Sequence, residues 1–343
     1  MKILYGVQGT GNGHITRARV MASALSKINA DVQWVFSGRP KHDFFDMECF
    51  GDYKSFRGLT FVTEHGKIKP FKTASQLNFK QLWKDIKSFD CSGYDIVIND
   101  FEPVTAWAAR NQKVFSIGLS HQSAFLYDIP KKGSNVGTDL IMKWFAPVNL
   151  PIGVHWHHFN QPILPPIIES KEQQGAVIKN KILVYFPFQS LENLIQLVKP
   201  FSDNEFYIYA KVESATNDGH IHVRPFSRTG FQSDLMSSEG VVCGAGFMLA
   251  SEAIQLGKKL YLQPVAGQME QLSNALVLEQ LGYANVSSEF NHTDLENWLK
   301  EFNPKKANFP NTAEYITNWL VNQQFNNPQD LVSTAWGNLD NQI

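Results

Sequence analysis

Residues 6–14 read GVQGTGNGH, so that Gly9, Gly11 and Gly13 alternate directly before His14. Glycines at alternate positions lack the Cβ that keeps a second backbone or a ligand at a distance, and they admit positive φ. An imidazole that titrates near neutrality, set at the end of such a loop, could take a proton from a substrate hydroxyl. A histidine at a helix start with no chemistry fits the same spacing, and both readings stand open on these residues alone. Two phosphate-binding patterns fit less well. A P-loop ends in Lys followed by Ser or Thr, whereas His14-Ile15 stand here. A dinucleotide fingerprint is G-x-G-x-x-G with an acidic residue after the next strand, whereas the second apolar run here ends WVFSGRP.

A second constellation lies at 240–282, GVVCGAGFMLASEAIQLGKKLYLQPVAGQMEQLSNALVLEQLG. Gly244, Ala245 and Gly246 close an apolar run, and Phe247 starts a helical pattern. That is a seat for a phosphate on backbone N–H groups. Glu252 lies within that helix and could accept two ribose hydroxyls. After the next run, VAGQMEQ opens another helix carrying Glu270, Gln271 and Asn274. Gln271 and Asn274 share one helix face at i, i+3 and could bond sugar hydroxyls. Solvated helix positions are the plainer reading of Glu252, Gln271 and Asn274.

The elements that must hold these residues read as α/β. KILYGV (2–7), DVQWVF (31–36), YDIVIND (94–100) and VFSIGLS (114–120) are buried-type strands, alternating with helical patterns at 14–29, around Leu77 to Ile86, and from Pro103. The pattern restarts at KILVYF (181–186), LENLIQLV (191–198), EFYIYA (205–210), HIHVRP (220–225), GVVCG (240–244) and KLYLQP (259–264), with helices near 247–256 and 268–281. Prolines 162, 165 and 166 disfavour regular structure between the halves. The expected organisation is a first Rossmann-like domain at 1–160, a linker at 161–180, a second at 181–311, and a helical tail at 312–343 that packs back on the first domain. Two such α/β domains face each other across a cleft, and open α/β sheets bind ligands beyond the carboxyl ends of their strands.

Bulk properties narrow the partners. The 343 residues carry 31 basic and 32 acidic side chains, so no basic excess exists for neutralising nucleic-acid phosphates. Three dispersed cysteines argue against a disulfide framework, and no apolar run of about 18 residues appears. A cytoplasmic protein is expected, with peripheral contact to a membrane surface left open. HWHHF (155–159) puts His155 and His157 on one face of a strand pattern, yet no acidic or cysteine partner is near, so a packed or surface strand is expected rather than a metal site. DLIMKWFAPVNLP (139–151) reads as a core helix or, alternatively, an acceptor-side or membrane-touching segment.

The pairing of GTGNGHITRA with GAG…SEA…GKK…P…EQLSNA…LG resembles glycosyltransferases of the GT-B fold, and within them the MurG and UDP-glycosyltransferase superfamily, in a bacterial and archaeal branch of it. The resemblance covers both halves in register. It implies an inverting, metal-independent transferase that needs no cofactor. A nucleotide-sugar donor, UDP-linked by default, would sit on the second domain. A glycan, lipid or small-molecule acceptor, such as a cell-envelope glycan, would sit on the first. By the same resemblance His14 is the base, Glu252 holds the ribose, Gly244 to Phe247 form the diphosphate loop, and Glu270, Gln271 and Asn274 contact the donor sugar. Phe226, in RPFS (224–227), falls where relatives hold the base. Asp100 falls where some relatives orient the histidine; an N-cap acid before Glu102-Pro103 is the plainer reading of it. YFPFQS (185–190) departs from the family by lacking glycines, and Gln189 or Ser190 would replace their phosphate contacts. A neutral residue is common at the position of Glu270, so the sugar accepted could differ. A nucleotide-sugar epimerase on the same fold and a non-catalytic nucleotide-sugar-binding protein are the rival readings.

Overall fold

The computed structural model describes residues 1–59, 63–64, 67–68, 78–169, 175–289, 291–301, 303–323, 325, 327–337 and 339. Leu77, read above as part of a helix, lies outside them.

The opening apolar run forms β1 (Lys2–Gln8), whose last six residues are buried. Burial on both faces is what a continuous Val, Ile and Leu run predicts for a parallel strand. β1 pairs with β2 (Asp31–Ser37) on one side and β6 (Ile96–Asp100) on the other. The sheet extends outward through β3 (Lys54–Phe56) past β2, and through β7 (Ser116–Ser120), β8 (Leu150–Val154) and β9 (Ile163–Leu164) past β6, with every pair parallel. Thr63–Glu64 (β4) and Lys67–Ile68 (β5) form a small antiparallel pair apart from it. β9 lies inside the stretch read as linker from its prolines. Instead it adds the edge strand of the first sheet.

The second sheet repeats the plan. β10 (Lys181–Tyr185) lies between β11 (Glu205–Ala210) and β14 (Gly240–Cys243). β13 (Ile221–Pro225) and the antiparallel β12 (Thr216–Asp218) extend one side, and β15 (Lys259–Leu262) and β16 (Asn285–Val286) the other. In both sheets the chain winds one way from the central strand and then returns to its other side. The switch points are therefore β1/β6 and β10/β14, and the crevices beyond their carboxyl ends are where α/β sheets take ligands.

The helix after β1 runs Asn12–Lys27, two residues earlier at each end than the apolar spacing suggests. Ile15, Ala18, Met21, Ala22 and Leu25 form its buried stripe. Asn29 ends it in the left-handed region at φ 50°, where asparagine is tolerated best after glycine. Gly9, Gly11 and Gly13 are all outside the left-handed region. Gly9 and Gly13 act through space instead. A Cβ on Gly9 would lie 2.6 Å from the Phe44 ring, and one on Gly13 would lie 3.3 Å from Met248 of the second domain.

Two further expectations are corrected. The segment at 139–151 holds the helix Val136–Trp144, which has no buried residue. Leu140, Ile141 and Trp144 stand exposed on it, because among the described residues no element buries that face. His155 and His157 do not lie on a strand, since β8 ends at Val154. Among the described residues no group of His, Cys, Asp and Glu could hold a metal ion.

After the second sheet the chain returns to the first domain. The helix Thr312–Val321 packs against Asn12–Lys27. Thr312 Oγ1 donates to Pro166 O at 3.0 Å, and Trp336 Nε1 of the last helix (Pro328–Trp336) donates to Ile163 O at 2.7 Å.

Candidate active site

At the switch point of the first sheet, His14 and Asp100 meet. Asp100 ends β6, is fully buried, and its Oδ1 lies 2.8 Å from His14 Nδ1. Arg17 stands one helical turn after His14 and donates its Nε to Asp100 Oδ2 at 2.9 Å. Burial alone would raise the carboxyl pKa, but Arg17, and after it His14, hold it below the ordinary range. An ionised Asp100 accepts hydrogen bonds and cannot donate them, so Nδ1 carries the imidazole proton. Arg17 Nη2, 3.1 Å from Nδ1, finds its own acceptor in Asp100 Oδ1. Nε2 is then the basic atom, on a side chain 14% exposed. The N-cap role considered for Asp100 belongs to Glu102, which accepts from Val104 N and Thr105 N.

Two helix starts come together here. Gly11 caps Asn12–Lys27 and Gly246 caps Phe247–Gln255, and neither has a side chain that bonds the first-turn N–H groups. A Cβ on either glycine would meet nothing within 4 Å. The two helices are in contact through Gly13 and Met248. Their positive ends lie open to a negative group.

The remaining residues of the second constellation divide by environment. Glu252 lines a small cavity with Ile168, Gln232 and Gln255, and Gln232 Nε2 donates to its Oε2 at 3.4 Å. Gln271 Oε1 accepts from Val265 N at 3.0 Å and so closes the loop before its helix (Met269–Gln280). Ser190 spends its hydroxyl as the N-cap of Leu191–Val198. Phe226 is 51% exposed, edge-on to Tyr185 at 6.2 Å.

Asn274, Phe247, Ala245 and Glu270 take part in the seam between the domains. Asn274 is fully buried, its Nδ2 donates to Ala245 O at 2.9 Å, and its Oδ1 lies 2.7 Å from His121 Nε2. Phe247 stacks on His121 at 4.1 Å. Gln122 Nε2 donates to Glu270 Oε2 at 3.0 Å, and Trp156 Nε1 donates to Ser251 Oγ at 2.9 Å. No single-residue signal marks this seam in the sequence, since its partners are 95 to 153 positions apart. Arg17 was detectable: three residues after His14, it had to share a helix face with it.

His121 sits between two acceptors, Val154 O at 2.8 Å from Nδ1 and Asn274 Oδ1 from Nε2. A neutral ring has one hydrogen for the two. Only the imidazolium would satisfy both, yet burial wins and pushes the His121 pKa down, against the opposing charge of Glu270. Burial likewise holds His155 well below its usual value, with His121 and His157 adding to the effect. An unfolded histidine takes up a proton near pH 6.5. Below that pH the unfolded chain therefore binds protons that the folded seam refuses, and stability falls by about 1.4 kcal/mol per pH unit per histidine until each folded pKa is reached. The thermal midpoint is expected to drop between pH 7.5 and 5.5, and to drop less in His155→Phe. An equal midpoint at both pH values would contradict this account of the seam.

Comparison with known proteins follows the same lines. Residues 1–303 match the family described as Glycosyl transferase family 1. Among solved structures the chain is similar to the glycosyltransferase SnogD from Streptomyces nogalater, at 12% identity and a TM-score of 0.57, covering 94% of this chain and 99% of that one. It is similar to Acinetobacter baumannii MurG at 14% identity and a TM-score of 0.55, covering 98% of this chain and 99% of that one. It is also similar to the glycosyltransferase SsfS6 of Streptomyces sp. SF2575, solved with thymidine diphosphate, at 12% identity and a TM-score of 0.57, covering 94% and 99%. At such identities these structures share the fold. No curated protein matches the sequence.

Proposed function

The chain belongs to glycosyl transferase family 1 and carries the GT-B fold, and from that premise we propose that it is an inverting enzyme with His14 as its base. The acceptor hydroxyl gives its proton to His14 Nε2 while its oxygen bonds the anomeric carbon. The bond from that carbon to the donor's phosphate oxygen breaks, and the nucleoside diphosphate leaves with the electron pair. What supports this reading above all is the Asp100–His14 pair, which turns Nδ1 to the carboxylate and leaves Nε2 as the outward nitrogen at a sheet switch point beside two open helix starts.

The departing charge is met by the N–H groups at Gly11 and Gly246, each helix start contributing about 0.3–1 kcal/mol if exposed and more if shielded. With the charge met this way the reaction needs no metal or other cofactor. The donor lies on the second domain, with its diphosphate at Gly244 to Phe247 and its ribose on Glu252, and UDP is the nucleotide we assign. The acceptor is a hydroxyl of a glycan, lipid or small molecule held on the first domain. Among the described residues no helix is long and apolar enough to cross a membrane. We assign the enzyme to the cytoplasm, where it could work at a membrane face on cell-envelope glycans.

A panel of UDP, GDP and dTDP in the presence of EDTA tests the donor site by thermal shift. A nucleotide at 100 times its Kd stabilises by about 2.7 kcal/mol, and that gain is expected from one nucleotide and lost in Glu252→Ala. A gain that survives Glu252→Ala, or none from any nucleoside diphosphate, removes the assignment. Product formed from donor with no acceptor present would point to an epimerase instead.

A further inference from the structure

We propose that the cavity beside the His14–Asp100 pair selects an anionic acceptor, one that joins a hydrogen-bond donor and an apolar or aromatic body to a carboxylate or phosphate. This deepens the reading above and rests on it for the word acceptor, although the binding site stands on its own geometry.

The cavity opens to solvent and lies between the loops after β6 and β7 and the Val136–Trp144 helix. Phe101, in its wall, directly follows Asp100 and adopts φ 54°, a left-handed conformation that bulky residues avoid. Such strain gathers where function fixes the chain. Here it turns the backbone from the strand into the Pro103 helix and sets an aromatic ring, stacked on Phe145 at 4.8 Å, in the cavity wall.

Gln122 supplies the polar requirement. It is 5% exposed, lines the cavity, and its Oε1 has no hydrogen-bond partner among the described residues. Its Nε2 is spent on Glu270 Oε2, and a carboxylate there demands the NH₂ end of the amide. The group that meets Oε1 must therefore bring a hydrogen, as a hydroxyl does. A buried acceptor without a donor is a rare arrangement in folded proteins, and a small rotation of the amide toward the cavity would let a ligand resolve it.

Arg110 and Lys143 supply the charge requirement. Both line the cavity, no carboxylate does, and among the described residues neither forms an ion pair. The Arg110 guanidinium lies 5.3 Å from the Trp107 ring and 4.9 Å from that of Trp144, while Lys143 lies 5.6 Å from Trp144. Stacked on indole faces, a guanidinium keeps its N–H edge for a planar or tetrahedral anion. Leu126 and Trp144, 40% and 42% exposed, offer apolar surface between the two ends.

The same chemistry occurs in free hydroxyaryl acids and in the headgroup of a hydroxyl-bearing anionic lipid. Titration calorimetry with 4-hydroxyphenylacetate, with its neutral methyl ester, and with phosphatidylglycerol against phosphatidylcholine vesicles separates these sources. The anion, free or in a vesicle, is expected to bind at least tenfold tighter than its neutral counterpart. The preference should vanish in Arg110→Gln/Lys143→Gln, whose changes are on the surface, and binding of the acid should weaken about tenfold in Gln122→Leu. Equal binding of charged and neutral probes, an undiminished preference in the double variant, or no binding of any probe would overturn the proposal. Binding as expected with no sugar transfer to any hydroxyl compound would remove the transferase mechanism and leave the site. Transfer by the double variant at the normal rate to anionic acceptors would do the reverse.

Discussion

His14→Ala should lose transfer by about 10²–10⁴-fold in kcat while its stabilisation by nucleoside diphosphate stays as in the parent protein. The effect runs through one proton. Asp100 takes the Nδ1 hydrogen, so the lone pair on Nε2 is the only basic function the ring presents. Removing the ring deletes that function without touching Glu252 or the loop at Gly244 to Gly246 on the other domain. His14→Gln is a useful companion, because it keeps a hydrogen-bonding group of similar reach but no comparable basicity, and it should be as slow as alanine. Stopped-time transfer assays at saturating donor measure both. A kcat within a factor of three of the parent in either variant would remove His14 from the chemistry.

The second large effect is at Asp100, where stability and rate should separate by variant. Asp100→Ala leaves the Arg17 guanidinium, 2% exposed, without its counter-charge. Breaking a buried pair from one side costs about 3–5 kcal/mol, which corresponds to a midpoint lower by about 6–20 °C in a domain of this size. Asp100→Asn also removes the counter-charge, but it keeps the volume and one acceptor for Arg17, so its midpoint should fall less. It can no longer hold the imidazole tautomer by charge, and in a comparable triad that change costs about 10⁴ in kcat. Thermal unfolding and transfer assays on both variants read the two effects. An Asp100→Ala protein as stable as the parent would mean that Arg17 finds another partner, and an Asp100→Asn protein with the parent's rate would mean that the tautomer is set elsewhere.

How much of this could be read from the chain follows from how local each signal is. The strands β1 and β10 were legible because a parallel strand buried on both faces must be a continuous apolar run, and KILYGV and KILVY are such runs. The glycine loops were legible as strand-end punctuation, although the reason for the glycines was not: Gly9 makes room for Phe44 and Gly13 for Met248, partners far along the chain. The short strands β9 and β16, two residues each, carry too little pattern to be seen beside prolines or turns. The Val136–Trp144 helix has the apolar residues of a core element, and only the tertiary arrangement reveals that none of them is buried. In the site, His14 and Asp100 could be named from the sequence. The involvement of His121 and Gln122 could not, since each gains its meaning from a residue on the opposite domain.

The seam has one arithmetic property with reach beyond stability. Asn274 owns a single side-chain oxygen, but that oxygen carries two lone pairs and His121 engages one of them. A ligand hydroxyl that donates to the other shares the atom that links the domains. Ligand occupancy and domain adhesion then hold one amide in one orientation, and by linkage each strengthens the other by the same factor. A mutation that never touches the ligand, such as His121→Phe, would in that case loosen the seam and weaken ligand binding. Trp156, buried at the same seam and bonded to Ser251, would report the loosening as a change in its emission.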